Sequence, residues 1–314
     1  MAANPTHRRF SVPRLPPSLH SGLFIAASAL MEMASKGILG LPPSVRYGLS
    51  DVLTTPAAPF FLGRRPAVAR NYAVVLGGSA TSPRARRLAR ASVGNYGRMA
   101  MDFLAVRVMS DKEILSWARP RHLEHFEAAL GDGRGIIMAL PHLGSWDVAA
   151  AFAQAYGCDL TVITEDTWAA RLVANSRDGH RLTLVPRGGS LRPVFRSLLA
   201  RGCVAMLCDM APPGVPAVAV PFFGHPAPFP VGPARLAHHT GAPILIVGSV
   251  RQPDHSYILE LLPPIRANRS LPAAQAIPAA TAAIATGFEQ LISAYPEQWY
   301  AFRSVWPDQD PTTR

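Results

Sequence analysis

From residue 111 onward, short apolar runs alternate with stretches whose apolar positions recur at helical spacing. The runs fall at 135–140, 159–164, 182–186, 203–208, 218–222 and 244–250, and the helical stretches at 146–156, 167–176, 191–200 and 231–240. Alternation of this kind predicts an α/β fold, with a mixed, largely parallel sheet flanked by helices. A late strand is predicted at 257–262, and a closing helix at 278–294 with Pro278 in its first turn, where the missing N–H is harmless. Residues 111–130 read as helix with a break near Pro120.

The first third is patterned differently. An amphipathic helix is predicted at 23–39. A second helix runs from Ser82 to about Val108, with Ser82 as N-cap and Pro83 in the first turn. At about 100° per residue, Arg86, Arg87, Arg90 and Arg98 fall on one half of its wheel and Leu88, Tyr96, Met99, Phe103 and Val106 on the other. Gly94 and Gly97 in its middle argue against helix. The organisation expected is a mobile arm at 1–20, an N-terminal helical, membrane-facing portion at 21–110, an α/β core at 111–306 continuous with it, and a tail at 307–314.

Composition narrows the function classes. Hydrophobic residues make up 49% of the 314 and charged residues 16%, which argues against wholesale disorder. No apolar run reaches the roughly 20 residues of a spanning helix. Three cysteines (Cys158, Cys203, Cys208) cannot all pair, which speaks against a disulfide scaffold and for a reducing compartment. Arg8, Arg9 and Arg14 before the run 22–31 resemble a signal peptide, but Glu32 and Lys36 follow directly and Ala-Ser-Lys is a poor cleavage context.

The net charge of +11 lies wholly in residues 1–107, which hold fourteen Lys and Arg against three acids. Basic residues interleaved with apolar ones such as Leu23-Phe24-Ile25 and Pro59-Phe60-Phe61-Leu62 suit an anionic membrane surface. A solvated basic face is the bland alternative. Nucleic acid is not expected, because this third carries no zinc-finger or RNA-recognition signature and few polar base-reading residues.

One stretch carries chemistry. An apolar strand ends at Pro141, a helix begins near Trp146, and between them stands His142, with Asp147 five residues on. Open α/β sheets place ligands at the carboxyl ends of strands. On one continuous helix the two side chains would lie about 140° apart, but a turn followed by a first helical turn lets them converge. A carboxylate on one ring nitrogen leaves the other free as a base. Alternatively, His142 hydrogen-bonds within a turn and Asp147 only favours the helix N-terminus.

Other motifs have structural readings. Gly131-x-Gly133-x-Gly135 precedes a strand, whereas a dinucleotide loop follows one. No Gly-x-Ser-x-Gly elbow is present, and Ser190 reads as a helix cap. His238-His239 fall on adjacent helix faces, and His122 and His125 lack a third metal ligand.

Pro141-His-Leu-Gly-Ser-Trp-Asp147 resembles the His-x4-Asp/Glu motif of glycerolipid acyltransferases, in particular the lipid A biosynthesis lauroyl/myristoyl acyltransferase superfamily and its phosphatidylinositol mannoside acyltransferase branch. Further segments are similar in the family's order: Val185-Pro-Arg-Gly-Gly189, Cys203-Val-Ala-Met-Leu-Cys-Asp209, Val220-Pro-Phe-Phe-Gly224, the small-residue stretch 231–242 and Tyr295-Pro-Glu-Gln-Trp299. The match spans about residues 40 to 306.

The resemblance implies His142 as general base, Asp147 as the residue that orients and charges it, and Asp209 as an acid lining the acceptor site beside it. It also implies Glu165 and Arg177 lining the donor or acceptor groove, and Arg187 contacting a phosphate or the oxyanion. Ser145 replaces the common Asn of the motif, and further departures gather on the acceptor side: Ala211 stands for a second acid, Pro212-Pro213 for a polar loop, His225 for an acid, and the basic run after Gln298-Trp299 is reduced to Arg303.

The expected reaction moves a long-chain acyl group from acyl-CoA or acyl carrier protein to a glycolipid hydroxyl, with a phosphatidylinositol mannoside as acceptor. No cofactor or metal is expected, because the donor is already activated. Trp146, Phe222 and Phe223 are candidate walls of an acyl slot, and core packing is the rival reading of each. The implied location is peripheral, on the cytoplasmic face of the inner membrane. A thioester hydrolase on the same scaffold and a non-enzymatic lipid-binding protein stay open as alternatives.

Overall fold

The computed structural model describes residues 17–164 and 182–306, with side chains from residue 29 onward. The predicted helix at 167–176, the tail at 307–314 and most of the arm at 1–20 lie outside the described residues. The chain opens with α1 (Pro17–Gly40), α2 (Pro43–Gly63), α3 (Ala67–Val75) and α4 (Pro83–Val106). Next come α5 (Asp111–Trp117), β1 (Ala118–Arg121), α6 (Leu123–Gly131), β2 (Ile136–Leu140), α7 (Trp146–Ala155), β3 (Leu160–Thr164) and β4 (Leu182–Pro186). Then follow α8 (Arg192–Leu199), β5 (Cys203–Leu207), β6 (Ala217–Phe222), β7 (His225–Pro230) and α9 (Gly232–Thr240). The described chain closes with β8 (Ile244–Arg251), β9 (Tyr257–Leu261), α10 (Ala273–Ala294) and a 3-10 turn, Pro296–Gln298.

Seven strands form one sheet in the order β1-β9-β8-β2-β5-β3-β4. Only β8 and β9 pair antiparallel; every other neighbouring pair is parallel. The unbroken apolar run of β2 follows from its central place. Ile137 and Ala139 enter the cluster on one face of the sheet, while Ile136, Met138 and Leu140 enter the cluster on the other. A strand covered on both sides has no polar face to alternate with.

The crossovers explain where a site can form. After β2 the chain passes through α7, whose Val148, Ala149 and Phe152 pack on one face. After the neighbouring β5 it passes to α9, whose Leu236 and Ala237 pack on the opposite face. Helices that leave adjacent parallel strands toward opposite faces open a crevice at the carboxyl ends of those strands.

Three sequence expectations are corrected. Residues 111–130 are two helices separated by β1, which pairs with β9 at the sheet edge, where Pro120 is tolerated. The run 218–222 lies outside the main sheet. It forms a separate antiparallel hairpin with β7, whose Pro226, Pro228 and Pro230 hid the strand from pattern reading. The closing helix starts at Ala273 and so places Pro278 in its interior, still within the second turn.

The helical portion is closely applied to the sheet. The Ser82 side chain caps α4 by accepting from the Ala85 N–H at 3.2 Å. Gly97 is where α2 crosses: a Cβ there would lie 2.3 Å from Thr54 Cγ2, so only glycine permits this approach. Beneath, the fully buried Asp102 of α4 accepts from the Tyr47 hydroxyl of α2 and the Tyr257 hydroxyl of β9, each at 2.6 Å. Arg251 of β8 stands 3.8 Å from the same carboxylate and donates to Asn95 of α4 at 2.7 Å. Two helices and two strands therefore meet at one buried polar junction.

Candidate active site

Strands β2 and β5 run in step, with Leu140 opposite Leu207. Two residues further along each strand stand His142 and Asp209. Their side chains meet: His142 Nδ1 lies 2.6 Å from Asp209 Oδ1, and the His142 backbone N–H donates to Oδ2 at 3.0 Å. Trp299 donates its indole N–H to the same Oδ2 at 2.8 Å. Burial alone would push the Asp209 carboxyl up. The facing His142 ring and the donated hydrogen bonds outweigh burial and hold it below its usual value. An ionised carboxylate has no proton to give, so Nδ1 carries the hydrogen of this contact and Nε2 is the ring nitrogen not engaged by Asp209. The His142 side chain is 28% exposed while Asp209 is 0%, so the open part of the pair is the imidazole.

The turn after β2 is built for this pose. Gly144 has φ +61°, and a Cβ on it would fall 1.6 Å from the Ser249 carbonyl oxygen, so no side chain fits. Its N–H donates to the Gln298 carbonyl at 2.9 Å, the Ser145 N–H to the Ser249 carbonyl at 2.8 Å, and the Tyr300 N–H to the His142 carbonyl at 2.8 Å. Ser145 caps α7, its side chain accepting from the Val148 N–H at 3.3 Å. The serine that departs from the family's usual asparagine thus serves the helix start, worth about 1 kcal/mol. Trp146 sets its ring edge-on to His142, with centroids 5.6 Å apart.

The carboxylate that meets the imidazole at Nδ1 is Asp209, whereas the sequence reading gave the orienting task to Asp147. The physical reason is strand order: β5 lies beside β2 and delivers its acid directly, whereas α7 carries Asp147 toward the end of α4. There the Arg107 guanidinium is pulled down by burial and held up by the charges of Glu32 and Asp147. Arg187 follows β4, three strands from β2 and so about 14 Å away across the sheet. Glu165 and Arg177 lie outside the described residues. Phe222 is fully buried, stacked on Trp306 and edge-on to Phe229, which makes it core rather than the wall of a slot. Phe223 is partly buried against it. Among the described residues no group of three or more His, Cys, Asp or Glu is placed to hold a metal.

Sequence reasoning assigned no task to Trp299 or to the residues that fix it. Its membership of the segment Tyr295–Trp299 was the only signal. The Tyr72 hydroxyl and the Asn71 amide, both on α3, donate to the backbone of residues 299–303, a pairing across the whole chain that no local pattern announces.

Comparison with known proteins gives the family. The model of the family described as bacterial lipid A biosynthesis acyltransferase matches residues 18–307. The chain is 30% identical over 237 residues to a phosphatidylinositol mannoside acyltransferase of Mycobacterium tuberculosis, covering 69% of each chain. It is 29% identical over 229 residues to a protein of the same name from Mycolicibacterium smegmatis, covering 70% of this chain and 72% of that one. The chain belongs to the bacterial lipid A biosynthesis acyltransferase family and is an acyltransferase.

Proposed function

We propose that this acyltransferase moves a long-chain fatty acyl group from the thioester of acyl-CoA or acyl carrier protein to a hydroxyl of a glycolipid. A phosphatidylinositol mannoside is the acceptor, by similarity to the named relatives. The observation that carries the reading is the His142–Asp209 pair at the carboxyl ends of two adjacent parallel strands.

In this reading His142 is the general base. The acceptor hydroxyl gives its proton to Nε2 as its oxygen attacks the thioester carbonyl carbon. Asp209 stabilises the imidazolium so formed. The tetrahedral intermediate collapses, the carbon–sulfur bond breaks, and the proton on Nε2 passes to the leaving thiolate. Base assistance of this kind contributes about 10²–10⁴-fold. Asp147 sits in the first turn of α7, where its charge acts on Arg107. Glu165, Arg177 and Arg187 are proposed to line the substrate groove.

The enzyme is proposed to work at the cytoplasmic face of the inner membrane as a peripheral protein. On α2, Val45, Leu49, Val52, Leu53 and Phe60 recur at helical spacing along one face, and all are exposed, Val52 at 73%, Leu53 at 66% and Phe60 at 68%. Leu30 and Met33 of α1 are exposed as well. The two charged residues of α2 lie off this face: Arg46 is buried and Asp51 pairs with Arg98 at 2.6 Å. Arg64 caps the stripe, its guanidinium 3.6 Å from the Phe60 ring centroid. An apolar face edged by arginine suits the interface of an anionic bilayer. No helix among the described residues is long and apolar enough to cross a membrane.

The test is thiol release from palmitoyl-CoA with and without phosphatidylinositol mannosides, for wild type and His142→Ala. Acceptor-dependent release that vanishes in the variant supports the reading. Release indifferent to acceptor would mean that water is the acceptor, and release intact in His142→Ala would refute the assigned base.

A further inference from the structure

Trp299 is fully buried and is held on every side. Tyr72 meets its ring edge-on at 6.1 Å, and Phe222 and Trp306 do so at 6.3 Å each. The Tyr72 hydroxyl donates to its carbonyl. Its backbone forms a bridge with Leu143, the residue after His142. Gln298, just before it, accepts from the Arg251 N–H and donates to the Arg251 carbonyl, both at 2.9 Å, which ties the segment to the end of β8. An indole fixed this firmly delivers one N–H in one direction, and that N–H ends on Asp209 Oδ2.

A carboxylate can rotate about its Cβ–Cγ bond. Two donors on Oδ2, the Trp299 indole and the His142 backbone N–H, remove that freedom and turn Oδ1 toward Nδ1. We propose that Trp299 is a positioning residue of the reaction, acting through Asp209 to set the orientation and basicity of the carboxylate that serves His142. The inference rests on the assignment of His142 and Asp209 as the working pair.

The sign of the effect follows from charge. The indole N–H stabilises the anionic form of Asp209. Without it the carboxylate becomes more basic and holds the protonated imidazole more strongly, so the acid limb of the kcat/KM profile moves to higher pH. Three groups packed around the pair do not compete, among them the Tyr300 hydroxyl, which burial pushes up. The Cys208 thiol beside Asp209 and the Tyr72 hydroxyl behind the indole are both pushed up by burial and stay neutral in the working range.

The experiment compares Trp299→Phe with Trp306→Phe. Both remove an indole N–H from one aromatic cluster, but the Trp306 indole donates to the Phe222 carbonyl at 3.2 Å and not to the dyad. Trp299→Phe is expected to lower kcat/KM about ten- to thirtyfold, carried mainly by kcat, and to raise the acid limb by about half a unit. Trp306→Phe is expected to leave the acid limb in place. Equal profiles for the two variants would reduce Trp299 to packing and overturn the proposal.

A second measurement needs no substitution to fold and no turnover. In the unsubstituted protein, the Trp299 indole N–H resonance should shift as pH carries the dyad through its titration. A resonance that stays flat overturns the proposal. If that resonance titrates but the wild-type protein transfers no acyl group, the linkage of Trp299 to the dyad stands and the assigned reaction falls.

Discussion

Asp209 and Asp102 are both fully buried, one at the carboxyl ends of β2 and β5, the other between the helical portion and the sheet. Each has both oxygens hydrogen-bonded. Asp209 faces an imidazole able to take a positive charge, a backbone N–H and an indole N–H, and its carboxyl is held down despite burial. Asp102 faces two tyrosine hydroxyls, with Arg251 a further 1 Å or so beyond ideal hydrogen-bond reach. Burial dominates there, and its carboxyl is pushed up. Hydrogen-bond count does not distinguish a working carboxylate from a structural one. What distinguishes them is whether a partner in direct contact can carry the opposite charge.

The largest effect expected is on the first carboxylate's partner: His142→Ala should lower acyl transfer about 10²–10⁴-fold with the fold intact, read by initial rates and circular dichroism. Asp209→Asn keeps volume but removes the charge, and should cost about 10²–10³-fold in kcat with KM little altered. If Asp147→Asn instead gave the larger loss, the assignment of Asp209 as the imidazole's partner would be wrong. Gly144→Ala tests the turn between them. It should destabilise by about 3 kcal/mol or more in urea titration, because the new methyl meets the Ser249 carbonyl at a positive φ.

The structural member of the comparison should behave in the opposite way. Asp102→Asn should cost about 2–4 kcal/mol of stability while activity per folded molecule is retained. The pH dependences separate the two further. Asp209, held down in the folded state, stabilises the fold above the ordinary carboxylate range and loses that contribution as pH falls through its lowered value. Asp102, raised, binds its proton more tightly in the folded state, so its contribution falls as pH rises through and above the same range. Urea titrations between pH 3 and 7 should show each Asn variant losing one of these two opposed slopes. Two variants with the same slope would dissolve the distinction.

The smallest effect on the fold is expected at the surface. Val52→Glu with Leu53→Glu should change stability by no more than about 0.5 kcal/mol each and weaken sedimentation with anionic vesicles about tenfold or more. Undiminished sedimentation would remove α2 from the proposed membrane face.

Much of this fold is legible in periodicity. The runs at 135–140 and 244–250 became β2 and β8 within a residue, because strands buried on both faces must be continuously apolar, and the run at 182–186 became β4 at the sheet edge. Pattern reading failed where proline wrote loop over strand, at β1 and β7. It was cautious at α4, where Gly97 looked like a helix breaker and is instead the place where another helix crosses.

The candidate site divides along the same line. The sequence by itself determined that His142 stands between a strand and a helix, because that depends only on neighbours along the chain. Which acid reaches its ring depends on which strand lies beside β2, and that neighbour is β5, some 65 residues further on, rather than the next strand β3. Trp299 reaches Asp209 from still farther away. Those partners are chosen by strand order and by the packing of α3 on residues 299–303, which no local pattern records.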